Sequence, residues 1–373
     1  MRILLIGYYG KANFGDDVLF KVTYNYVRQC KPSAEIFVLC DQYQEEYLEK
    51  LVRNDINIVK PGNRDHYDVI IHGGGGTFFD FNQYGMIDRF INILIMGIGL
   101  KNTVKIDKIV RNLLNKQRIS SDKRLGWGIG VGTYSTGSKK LRDNLSVLLD
   151  FDTLILRDVQ SVQNLKKLGM ISNVRLGSDL AFLDEYWVPK ESCSQNKVKK
   201  RKKLGLVLRD WETGEKDKYF EAIVRILPQL NETYEMTIFI FDKRVDKKKL
   251  MLSRSYTTYL WNPLTIDFDD FCTQLATQDV LVTTRAHGAI CGAVLGVPSV
   301  IIELEPKLKT IHEMLPNITS LIDINQLDFA RLEEQIEEIL KCEKETIMSD
   351  CQHNKKLIEK EVFSSIVQIG LGN

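Results

Sequence analysis

The feature that most restricts this chain is the recurrence of short apolar runs that stop at a glycine or a charged residue. Arg2–Gly7, Ile36–Cys40, Asp68–His72, Leu125–Val131 and Thr153–Leu156 are runs of this kind. They are continuous rather than alternating, as expected of strands covered on both faces. Stretches of helical character separate them; one is expected to be capped by Asp16 or Asp17 and to run to about Gln29. Strands alternating with helices need crossover connections, so the expected class is α/β with a parallel, doubly wound sheet.

The alternation then starts again. Leu204–Leu208, Met236–Phe241, Val280–Thr283 and Ser299–Glu303 read as strands, and Tyr219–Leu230, Phe268–Thr277 and Phe329–Leu340 as helices. A chain of 373 residues exceeds the size at which one core keeps growing. The expected organisation is an N-terminal Rossmann-like domain over 1–188, a basic linker over 189–203, and a C-terminal Rossmann-like domain over 204–345. A terminal helical segment over 346–373 follows. The linker carries Lys197-Val198-Lys199-Lys200-Arg201-Lys202-Lys203. Such a run reads either as a solvated loop or as a peripheral contact to anionic lipid headgroups.

Composition excludes several classes. Fifty-one basic residues against 49 acidic ones leave a net charge of +2, which gives no electrostatic footprint for nucleic acid. Seven dispersed cysteines without a C-x-x-C pair fit neither a disulfide framework nor a zinc site, and point to a reducing, cytoplasmic setting. Cys272 and Cys291 read as buried apolar residues. The opening apolar run ends at Gly7, and Lys11, Asp16 and Asp17 follow, so no signal sequence is expected. Phe90–Leu100 is shorter than the ~20 residues of a membrane span.

In open parallel sheets, ligands bind beyond the carboxyl ends of the strands. Gly7–Gly15 and Gly73-Gly74-Gly75-Gly76 lie at such ends, and serve either tight packing or ligand contact. Neither is a P-loop or a dinucleotide fingerprint. Val280–Thr283 runs out into Thr284-Arg285-Ala286-His287, ahead of the small-residue stretch Ala289–Gly296. Arginine suits carboxylate and phosphate through its planar fork, and histidine exchanges protons near neutral pH. Arg209 follows Leu204–Leu208 in the same manner, so two arginines can converge on one dianion. Arg157-Asp158 with Ser161 reads as a helix start. Asp16, Asp17, Asp80 and Asp179 form no spaced carboxylate set, and no metal is expected.

On these residues the chain resembles the polysaccharide pyruvyltransferase family. The matching stretches are Gly7-Tyr8-Tyr9-Gly10 with Asn13 and Gly15-Asp16, then Gly73–Gly76, Gly128-Ile129-Gly130, Arg157-Asp158 with Ser161, and Asp179–Phe182. Arg209, Thr284–His287, Gly296-Val297-Pro298 and Pro306-Lys307 complete the set. Ala286 and Leu180 depart from the family's usual leucine and proline. The resemblance implies two Rossmann-like domains facing a cleft, GT-B-like. It implies transfer of pyruvate from phosphoenolpyruvate onto two sugar hydroxyls, forming a cyclic ketal of a cell-surface polysaccharide. Phosphoenolpyruvate is then the donor substrate, with no separate cofactor. Arg209 and Arg285 would hold the donor, Lys307 would add charge at its phosphate, and His287 would be the general acid. Acceptor contacts would come from the first half, from Asn13, Asp16, Gly74, Gly75, Asp80 and Asn82. The acceptor would be a hexose diol, on a lipid-linked precursor or a growing glycan. Two rivals share the architecture: a nucleotide-sugar glycosyltransferase, with Glu303 or Glu305 on the ribose, and a non-catalytic anion- or sugar-binding protein.

Overall fold

In a computed structural model of the chain, β1 (Arg2–Ile6) has Ile3, Leu4 and Leu5 fully buried, as a strand covered on both faces requires. The structure describes residues 1–40, 45–78, 119–132, 144, 147–169, 173–190, 201–210, 216–246, 252 and 254–370. By its internal contacts the chain divides into two units. The first comprises Met1–Lys11, Leu19–Leu180 and Lys356–Asn373, and the second Ala12–Val18 and Ala181–Lys355.

The first unit is built on a seven-stranded sheet. Its further strands are β2 (Glu35–Leu39), β3 (Asn57–Val59), β4 (His66–Phe78), β5 (Ser120–Val131), β6 (Thr153–Leu156) and β7 (Val174–Leu176). Their order is β3-β2-β1-β4-β5-β6-β7, every pairing parallel. Helix α1 (Phe14–Cys30) links β1 to β2, α2 (Glu45–Val52) links β2 to β3, and α3 (Val159–Lys167) links β6 to β7. Winding runs outward from β1 in both directions, so the topological switch lies between β1 and β4.

That switch accounts for the first unit's glycines. The hydroxyl of Tyr9 donates to the carbonyl of Gly73 at 2.9 Å. A Cβ at Gly73 would sit 2.9 Å from Cγ2 of Thr23, and Gly74 and Gly75 take φ of +62° and +89°. Close packing and left-handed backbone therefore explain Gly73–Gly75 without a ligand.

The second unit repeats the plan with six strands. They are β8 (Lys203–Val207), β9 (Glu235–Ile240), β10 (Thr258–Leu260), β11 (Val280–Thr283), β12 (Ser299–Glu303) and β13 (Thr319–Asp323). The order β10-β9-β8-β11-β12-β13 is again wholly parallel and puts the switch between β8 and β11. Helices α4 (Lys216–Thr233), α5 (Phe268–Ala276), α6 (Ala286–Val294), α7 (Pro306–Met314) and α8 (Phe329–Ile339) cover it. Leu206, Val282, Val300 and Ile302 form the core with Leu227, Leu332 and Ile336. Cys272 and Cys291 are buried in this unit. The last helix, α9 (Lys344–Gln368), counts with the second unit up to Lys355 and with the first from Lys356.

The α/β class and two-sheet, GT-B-like architecture agree with the sequence expectation, as do most strands to within a residue. Edge strands β3, β7, β10 and β13 were not expected; the first three are only three residues long and carry too little pattern. Most of the 189–203 linker lies outside the described residues, as do Asp80 and Asn82. Of the basic run, Arg201 donates to the carbonyls of Asn231 and Glu232 at 3.1 Å each. Lys202 and Lys203 pair with Glu337 and Glu235. Among the described residues no helix is long and apolar enough to cross a membrane.

Asp158 caps α3 as the Asp-x-x-Ser pattern implies. Its Oδ1 accepts from the backbone of Ser161 at 2.6 Å and its Oδ2 from Nε of Arg157 at 3.0 Å. Both side chains are buried, and Arg157 also lies 3.7 Å from Asp179. Removing the carboxylate would leave Arg157 short of a buried partner and the helix uncapped. We expect Asp158→Ala to lower stability in urea unfolding by ~3 kcal/mol or more. Asp158→Asn should lower it less, because the amide oxygen still caps.

Candidate active site

Four neighbouring strand ends in the second unit carry polar side chains. β9 leads into Asp242, β8 into Arg209 and Asp210, β11 into Thr284 and Arg285, and β12 into Glu305. Two threonines lace the switch point. Oγ1 of Thr284 accepts from the backbone of Arg209 at 2.8 Å and lies 3.3 Å from the hydroxyl of Tyr219. Oγ1 of Thr283 donates to the carbonyl of Val207 at 3.0 Å and accepts from the backbone of Arg285 at 3.0 Å. The turn into α6 is tight enough that a Cβ at Gly288 would meet Val207 Cγ1 at 3.0 Å. His287 is thereby fixed in the first turn of α6, directly after the strand end.

The segment Ala12–Val18 also belongs to this unit. The reason is Phe14, whose ring centroid lies 4.6–5.4 Å from those of Phe241, Trp261, Phe268 and Phe271. The backbone of Phe14 donates to the carbonyl of Phe241 at 3.0 Å, and Asn13 forms a bridge with Asp242. Nε1 of Trp261 donates to Asp17 at 2.7 Å. Held between these anchors, Gly15 presents a bare face to His287. A Cβ there would lie 2.6 Å from Cγ and 2.7 Å from Cβ of the histidine.

The cations of the site are matched by carboxylates of the chain. Nη2 of Arg285 donates to both oxygens of Asp246 at 2.6 Å. Those oxygens also accept from the backbones of Asp210 and Asp242. Arg244 grips Asp242 through Nε and Nη2 at 3.1 and 2.9 Å. One oxygen of Glu305 lies 3.6 Å from Nη1 of Arg209 and 2.5 Å from Nζ of Lys307. Nε of Arg285 is buried and meets no hydrogen-bond acceptor among the described residues. Burial pushes the carboxyl of Asp16 up to about 6. His287 opposes that rise, Asp242 adds to it, and Arg285 and Lys307 oppose it.

Of the residues singled out in the sequence, Arg209, Arg285, His287, Lys307, Asn13 and Asp16 all lie in the second unit. Gly74 and Gly75 lie in the first. Asn13 and Asp16 were expected to serve an acceptor from the first half. Phe14 instead carries them into the second unit, and Oδ1 of Asn13 accepts from the backbone of Gly15 at the start of α1. The helix begins at Phe14, so Asp16 and Asp17 fall in its first turn rather than capping it. Arg285, expected as a free anion clamp, has one arm committed to Asp246. Asp242 and Asp246 were missed, although Asp242 follows the Met236–Phe241 run as Arg209 follows its own strand.

Comparison with known proteins adds the family. The polysaccharide pyruvyl transferase family model matches residues 13–306. No curated protein matches the chain significantly. Among solved structures, the S. aureus MnaA–UDP co-structure is 12% identical with a TM-score of 0.59, covering 99% of this chain and 97% of its own. The UDP-GlcNAc 2-epimerase of Methanocaldococcus jannaschii, in complex with UDP-GlcNAc and UDP, is 13% identical with a TM-score of 0.56. That match covers 92% of this chain and 94% of the epimerase. Anabaena Alr3699/HepE, in complex with UDP and glucose, is 10% identical with a TM-score of 0.54, covering 98% and 99%. At these identities the likeness is one of fold.

The raised carboxyl of Asp16 has a stability signature. In the unfolded chain it ionises near 3.8 and in the folded chain near 6, so stability falls as pH rises through that interval and stays lower above it. Asp16→Asn should therefore raise the melting temperature at neutral pH and leave it unchanged below about pH 4. Equal melting temperatures at neutral pH would mean that Asp16 carries no burial penalty.

Proposed function

We propose, from the premise that this chain belongs to the polysaccharide pyruvyl transferase family, that it moves pyruvate from phosphoenolpyruvate onto two hydroxyls of a sugar as a cyclic ketal. The observation that carries the reading is the buried Nε of Arg285, without an acceptor among the described residues and two positions before His287. A buried N–H left unpaired costs ~1–3 kcal/mol, and an anionic oxygen of the donor relieves that cost.

The contacts support a division of labour. Asp246 fixes one arm of Arg285, so the guanidinium offers Nε to the donor's carboxylate in a set orientation. Arg209 and Lys307 take the phosphate. His287 delivers a proton to the methylene carbon C3, and C2 gains oxocarbenium character. The first sugar hydroxyl adds its oxygen to C2, and its proton passes to Asp16, whose carboxyl near 6 is suited to accept and release it. The second hydroxyl then attacks C2 as the C2–O bond to phosphate breaks, and its proton leaves with the phosphate. The net change is phosphoenolpyruvate plus diol to ketal plus inorganic phosphate.

The acceptor in this reading is a hexose diol of galactose, glucose or mannose type, on a lipid-linked precursor or a growing glycan. The reaction takes place in the cytoplasm. The Lys197–Lys203 run then provides peripheral contact with anionic headgroups at the membrane's inner face.

His287→Ala should retain phosphoenolpyruvate binding by calorimetry while acceptor-dependent phosphate release falls by ~10²–10⁴. Turnover within about threefold of wild type would remove His287 from the chemistry. Arg285→Lys should lose binding itself, because one ammonium cannot both hold Asp246 and present a second fixed donor. A thermal shift with phosphoenolpyruvate and none with nucleotide sugars separates this reading from a glycosyltransferase.

A further inference from the structure

We infer that Glu305 is an internal counter-anion, seated on Arg209 and Lys307 where the donor's phosphate binds, so that donor binding exchanges one anion for another. The identity of that anion as a phosphate rests on the function proposed above; the exchange itself rests on geometry.

Glu305 stands at the N-cap of α7, with extended backbone (φ −152°, ψ 148°) and no side-chain bond to the helix it precedes. A carboxylate at that position ordinarily accepts from the first turn. Here its oxygen turns to two cations instead, 2.5 Å from Lys307 Nζ and 3.6 Å from Arg209 Nη1. The exposures differ in an informative way: the carboxylate side chain is 10% exposed, Arg209 33% and Lys307 39%. The anion is buried beneath cations that still reach solvent. One oxygen thus lies against two positive groups. A phosphate presents three oxygens and can accept from both cations at once. It therefore competes with Glu305 for the same donors, and the carboxylate must yield some or all of its contact.

A buried carboxylate with this role limits affinity for every anion, so that only a multiply charged one displaces it. Loss of its charge should tighten anion binding, an outcome that misfolding or a lost scaffold contact cannot mimic. The test is calorimetric titration of the full-length protein with inorganic phosphate, comparing wild type, Glu305→Gln and Glu305→Ser. We expect both variants to bind phosphate about three- to tenfold more tightly, as removal of a partly screened charge pair allows. Two substitutions of different size guard against one that fails to fold. Unchanged or weaker phosphate binding overturns the inference, since Glu305 would then be irrelevant to the cations or needed to position them. Loss of UDP binding on Glu305→Gln would also overturn it, making the carboxylate a ribose ligand. The two readings fail separately. Tighter phosphate binding without any turnover of phosphoenolpyruvate would preserve the exchange and remove the pyruvyl transfer.

Discussion

The site depends on one aromatic ring. Phe14 stacks 5.4 Å from Phe268 at an interplanar angle of 25° and meets Phe241, Trp261 and Phe271 at steeper angles. Aromatic contacts of this kind are worth ~0.5–1.5 kcal/mol each beyond the area they bury. The consequence is positional. Fixing Phe14 fixes Gly15 against the imidazole of His287, and it sets Asp16 within the charge field of His287, Arg285 and Lys307. Trp261 serves twice, packing on Phe14 and donating to Asp17, so the same pocket holds the helix start by apolar and polar means.

Around that anchor the charges are arranged for orientation more than for stability. A buried ion pair gains little over an apolar pair of the same volume, because desolvation offsets the Coulomb attraction. The buried Arg285–Asp246 pair therefore serves chiefly to hold the guanidinium in a fixed direction. Asp246 in turn is held by the backbones of Asp210 and Asp242, which ties the pair to the ends of β8 and β9. Two further features belong to this set. Nε of Arg285 is buried without an acceptor among the described residues, and Glu305 serves two cations with one oxygen.

Much of this was legible in the sequence for a physical reason. A strand buried on both faces shows as a short unbroken apolar run, and the residue that ends it occupies the strand's carboxyl edge. That logic placed Arg209, Arg285 and His287 at strand ends from local pattern alone. It could equally have found Asp242, which ends the Met236–Phe241 run. It could not find Asp246, whose part depends on a tertiary contact with a side chain 39 positions away. Nor could it assign Asn13 and Asp16, because the pocket that captures Phe14 is assembled from residues beyond position 240. The glycines were ambiguous for a related reason. Only the packed structure shows that Tyr9 and Thr23 fill the space over Gly73.

The two units apply one topological rule to different ends. Each winds outward from its first strand, and each therefore has a switch point where side chains can converge. In the first unit that point is packed backbone: Gly73 lies under Tyr9, and Gly74 and Gly75 are buried in left-handed conformations. In the second it is lined by arginine, lysine, histidine and carboxylate. The two switch points thus differ in kind, set by side chains in the second unit and by backbone conformation in the first.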